Sequence, residues 1–111
     1  MLAGAASLAG LAANSVVVTA APTSQSASDL PSSHVFSSVI VTVIGGTASS
    51  YTWSFTNILG GSWSLFSGAG TAIATPQVAS VAGIATATLV CDVVVNGITY
   101  SVSCALSYEK V

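Results

Sequence analysis

The chain has 111 residues, the size of one small domain, and only four of them are charged: Asp29, Asp92, Glu109 and Lys110. One lysine and no arginine exclude a basic face for nucleic acid. No apolar run reaches the roughly 18–20 residues of a membrane-spanning helix, and a surface this neutral favours a subunit packed against others over a free monomer.

Residues 1–14, MLAGAASLAGLAAN, resemble the core of a signal peptide without its positively charged start. They are expected to form an apolar arm, with residues 15–111 as a single domain. Helical periodicity is absent beyond residue 14. NSVVVTAA (14–21) reads as a first strand, because β-branched side chains suit a pleated surface. PTSQSASDLPSSH (22–34) is polar, carries two prolines and reads as a loop or irregular edge. VFSSVIVTVI (35–44) follows as one strand, closed by Gly45-Gly46.

Residues 50–56 alternate Tyr51, Trp53 and Phe55 with Thr52, Ser54 and Thr56, the period of a half-buried strand. A turn is expected over 57–61, then a short strand SWSLF (62–66) with Trp63 and Leu65 inward. Trp63 with Leu65 and Phe66 also has the composition of a carbohydrate-stacking platform, the less favoured reading. Residues 71–74 and 77–81 read as two short strands split by Pro76, which suits a sheet edge.

TATLVCDVVVNGITYSVSCALSY (86–108) is a hairpin about Asn96-Gly97, the pair that best tolerates the positive φ angles of a type I′ turn. That turn sets Val95 opposite Ile98, Cys91 opposite Val102 and Leu89 opposite Cys104. One face then carries Leu89, Cys91, Val93, Val95, Ile98, Tyr100, Val102, Cys104 and Leu106, and a one-residue slip would bury serines instead. Both cysteines point inward as diagonal neighbours, about 7–8 Å apart at Cα. Buried thiols are favoured over a cross-strand disulfide, and two cysteines fall short of the four ligands zinc takes. Trp53, Cys91, Tyr100 and Cys104 are the expected core anchors.

About seven or eight short strands with regular turns define an all-β fold, an antiparallel sandwich. SYTWSF and the closing hairpin resemble an immunoglobulin-like domain, with Trp53 at the place of the buried third-strand tryptophan and Cys91 at that of the sixth-strand cysteine. Val39 or Val41 stands where antibody-type domains carry the second cysteine, so no intersheet disulfide is implied. The Tyr-x-Trp-x-Phe core also resembles PKD-like modules, without their acidic turn. Together with the Ser, Thr, Ala and Val-rich composition, residues 35–110 are similar to Ig-like domains on virions of tailed bacteriophages, in capsid decoration and tail accessory proteins.

That resemblance implies a non-enzymatic virion subunit. Its implied partners are further copies of itself and a major capsid or tail protein, with host surface glycans as a further candidate. The apolar residues Leu2, Leu8, Leu11, Val16 and Val18 form the expected assembly arm. The alternative is a secreted or cell-surface adhesin, a carbohydrate-binding module or a filament subunit. Acid–base chemistry has little to work with. A Ser–His–Asp set can be written around Asp29 and His34, but serines are so common here that the match carries no weight. No enzyme activity, cofactor or metal is expected.

Overall fold

The computed structural model describes residues 15–111, and these are all strand, turn and bend. The nine strands are β1 (Val17–Ala21), β2 (Ser24–Asp29), β3 (His34–Val35), β4 (Val39–Ile44), β5 (Ala48–Leu59), β6 (Ser62–Ser67), β7 (Ile73–Ala79), β8 (Ile84–Val95) and β9 (Ile98–Lys110). They form two sheets. One runs β1-β4-β7 with β3 on the same side of β7 as β4 and β6 on the other; the second runs β2-β9-β8-β5. With β3 and β4 as two pieces of one strand, this is the ABED and GFC connectivity of an Ig-like sandwich, its first strand divided between the sheets.

The closing hairpin has the register its turn dictates. Val95 pairs with Ile98, Cys91 with Val102 and Leu89 with Cys104. Asn96 and Gly97 take φ of 54° and 76° to make the turn. Along β8 every second residue from Ala85 to Val95 is buried. Ile98 departs from its expected inward place and is exposed, although Val95 opposite it is buried.

Four expectations about elements need correction. The polar segment 22–34 contains β2, which pairs with β9 in parallel, so the sandwich is not wholly antiparallel. The chain crosses from one sheet to the other at the cis Ala21–Pro22 peptide. The expected 35–44 strand is broken between Val35 and Val39, where the Gln25 side chain bridges to the Ser37 backbone. The expected turn at 57–61 starts later, since β5 continues through an irregular pairing between Thr56 and Leu59.

The fourth correction is Pro76, which splits nothing and lies at no edge. It is buried within β7, paired on one side with β6 and accepting the Phe36 amide (2.9 Å) on the other. A proline has no N–H to give a ladder, and β6 accommodates it with an irregular pairing between Leu65 and Ser67.

The core has two parts. Phe36, Val39, Val78, Val81, Leu89, Cys104, Leu106 and Tyr108 fill one, with Trp63, Leu65 and Phe55 against them. Val41, Cys91, Val93 and Val95 fill the other, with Tyr51, Tyr100 and Val102 against them. Trp53 packs on both.

Candidate functional site

The chemistry-bearing side chains are structural in their surroundings. His34, expected in a loop, lies in β3 with its ring stacked 5.0 Å from Tyr108 and edge-on 4.7 Å from Phe36. Asp29 accepts the Leu30 amide at 2.8 Å, and Asp92 accepts the Ser101 hydroxyl across β8 and β9. Among the described residues no three of His, Cys, Asp or Glu gather where a metal ion could be held.

The expected anchors are placed as follows. Cys91 and Cys104 are free thiols with no exposed surface. Burial, reinforced by the neighbouring Asp92 charge and opposed by a hydrogen bond from the Thr52 backbone, pushes Cys91 up to about 11. Burial also raises Cys104, against the opposing hydrogen bond of Gln25. A thiol held protonated in this way is a poor nucleophile and a poor metal ligand at neutral pH. Trp53 and Tyr100 are half-buried, and the Trp53 indole Nε1 donates to the Thr71 carbonyl at 2.7 Å. Trp63 faces inward, 5.7 Å from Phe36 and 6.1 Å from Phe55, so it offers no open stacking platform.

Two residues matter more than the sequence suggested. Tyr108 is fully buried and donates its hydroxyl to the Pro31 carbonyl, tying the last strand to the 30–33 loop. Burial raises its pKa, with Asp29 adding to the effect. Its inward place follows from the parity that buries Cys104 and Leu106. Gln25 donates Nε2 to the Ser37 carbonyl (2.8 Å) and accepts the Ser37 amide on Oε1 (3.0 Å). A polar residue in a Ser-rich segment gave no local hint of that.

The assembly-arm residues divide. Val16 and Val18 are half-buried and pack on this domain's own second core cluster. Leu2, Leu8 and Leu11 lie outside the described residues.

What remains available for function is surface. The outer face of the five-stranded sheet carries an apolar row across three strands, Ala21–Ile40–Ile73, and a second pair, Val17–Ile44, with Thr19–Thr42 between them. Val17, Ile40, Ile44 and Ile73 are each roughly half exposed. The outer face of the other sheet is coated with hydroxyls, as in the row Thr56–Thr88–Ala105–Ser24. Its shallow cleft of about 310 Å³ is lined in part by Ser24, Ser26, Asn57, Thr86, Thr88 and Ser107. This arrangement can bind by apolar contact and by neutral hydrogen bonds. Comparison with models of known protein families and with curated proteins finds no match.

Proposed function

We propose that the chain is a non-enzymatic structural subunit of a virion, a capsid decoration or other accessory protein of the tailed-bacteriophage type. It docks on a major capsid or tail protein through its N-terminal part and presents the Ig-like domain to solvent. The observation that carries this reading is the uncharged outer face bearing Val17, Ile40, Ile44 and Ile73, on a chain with four charged residues. Clustered exposed apolar side chains mark an interaction surface. They begin at Val17, where residues 1–14, with Leu2, Leu8 and Leu11, join the domain. The hydroxyl-coated sheet, on the opposite side of the sandwich, suits the solvent-facing role.

A second reading, a surface adhesin or glycan-binding module, draws support from the shallow cleft where the polar Ser24, Asn57, Thr86 and Thr88 stand beside the apolar Ala87, Ala105 and Leu106. One experiment separates the two. Particles purified from cells that make them together with this chain are examined by mass spectrometry, using the full chain and a form lacking residues 1–14. The full chain should be present in stoichiometric amount, and the truncated form should fold but be missing. Full occupancy by the truncated form, or absence of the full chain from particles, defeats the proposal. Binding of the full chain to a glycan array, without particle incorporation, would favour the adhesin instead.

A further inference from the structure

Among the described residues five strands pair on one side only, and four of them are short: β3 has two residues. β1 has five residues, β2 and β6 have six each, and β6 is interrupted by its irregularity at Leu65–Ser67. β5 is different. It has twelve residues, ASSYTWSFTNIL, and among the described residues it pairs with β8 alone.

Sheet edges in proteins are usually guarded by charge, proline, a bulge or brevity, since an open ladder recruits another strand. β5 has no charged residue and no proline. Its pairing irregularities fall at Ala48–Ser50 and Thr56–Leu59, leaving the seven residues from Ser50 to Thr56 in regular register. Along them, alternate N–H and C=O groups point away from β8, and no strand among the described residues receives them.

We propose that this edge is a self-association surface, on which β5 of a second copy adds in antiparallel fashion to make one continuous eight-stranded sheet. The identity of the occupant follows from the sequence of the edge. A two-fold axis at Trp53 sets Thr52 opposite Ser54 of the second copy, Tyr51 opposite Phe55, and Ser50 opposite Thr56. Hydroxyl meets hydroxyl on the outer face, and aromatic meets aromatic on the inner face. Both kinds of cross-strand pair are favourable, and the same patch serves both partners, as a two-fold interface requires. Tyr51, Trp53 and Phe55 are each half-buried in the single chain, so they retain surface for a neighbour to cover.

No charge opposes the pairing. The nearest, Asp92, lies one strand in, opposite Thr52. Three strand spacings of about 4.8 Å would separate the two Asp92 strands, roughly 14 Å, beyond the screening length of about 8 Å at physiological ionic strength. The inference specifies which surface takes a further copy of the chain within the proposed function. It is tested on purified protein, so it stands or falls separately from the particle experiment.

The test is sedimentation equilibrium of the full chain over a range of concentration, compared with the double variant Thr52→Lys/Ser54→Lys. Both positions are exposed, so the melting temperature of the isolated domain should hold. The wild type should dimerise. The variant sets lysine opposite lysine twice, and its dissociation constant should rise about tenfold or more. Register has its own readout. Mixed Thr52→Cys and Ser54→Cys chains should cross-link to each other in preference to themselves. Three results would overturn the proposal: a wild type that stays monomeric, a dimer indifferent to the lysines, or a dimer that vanishes when residues 1–14 are deleted, which would make that segment the occupant.

Discussion

Replacement of Trp53 probes the sandwich where its two core clusters meet. The ring packs against both, and its Nε1 is bonded to the Thr71 carbonyl at 2.7 Å. Truncating a core tryptophan to alanine costs about 3–5 kcal/mol. Because Trp53 is half-buried, the low end applies, about 3 kcal/mol, of which the lost hydrogen bond contributes about 1 kcal/mol. A small domain has only about 5–15 kcal/mol in all. Each kcal/mol is worth about 4–8 °C of melting temperature at this size, so Trp53→Ala should melt roughly 12–24 °C early. Trp53→Phe keeps most of the packing and loses the bond, and should shift by roughly 4–8 °C. The exposed Thr52→Ala on the same strand should be nearly silent. Urea and thermal unfolding followed through the fluorescence of Trp63, which stays in place beside Phe36, reads all three variants. A loss below about 1 kcal/mol for Trp53→Ala, or an equal loss for Thr52→Ala, would refute the assignment of Trp53 as the bridge between clusters.

Gln25→Ala should lower stability by about 1 kcal/mol, because it removes both hydrogen bonds to the exposed Ser37 backbone, which water can then solvate. Gln25→Glu, which can still accept but no longer donate, should fall between in the same urea titration. If the alanine variant unfolds at the wild-type midpoint, the bridge holds nothing. The buried thiol predicts a pH effect. Below pH 9 the Cys91 proton is held in both states, but between pH 9 and about 11 the unfolded thiol ionises while the folded one does not. The unfolded state then binds fewer protons, so stability should fall as pH rises through that window. Cys91→Ala should flatten the decline in urea midpoints from pH 8 to 11; equal slopes would show that Cys91 does not carry it.

The parts legible from residues alone are those decided locally. Asn96-Gly97 set the hairpin turn, and the alternation from Leu89 to Leu106, despite Val90, Val94 and Ala105 on the outer face, set which side faces in, so the pairing of Cys91 with Val102 could be written before any coordinates. The aromatic alternation of Tyr51, Trp53 and Phe55 marked the inner face of β5 in the same way. What the tertiary structure decided is everything that depends on a distant partner. Ser24–Asp29 has little strand propensity of its own and becomes β2 because the edge of β9 offers its ladder. Pro76 sits inside a paired strand because an irregularity in the neighbouring strand β6, at Leu65–Ser67, absorbs its missing N–H.

The surface divides along the same line. Alternation shows that Ile40, Ile44 and Ile73 share a parity with polar neighbours, but only the sheet order lines Ile40 up against Ile73 and Val17 against Ile44. Likewise the uncharged sequence of β5 is plain on reading, whereas its position at the open end of β2-β9-β8-β5 is a property of the sheet. Periodicity is a property of consecutive residues and can be read from them. Strand order is set by which faces and ladders must be covered once all the strands are present, and no single segment contains that information.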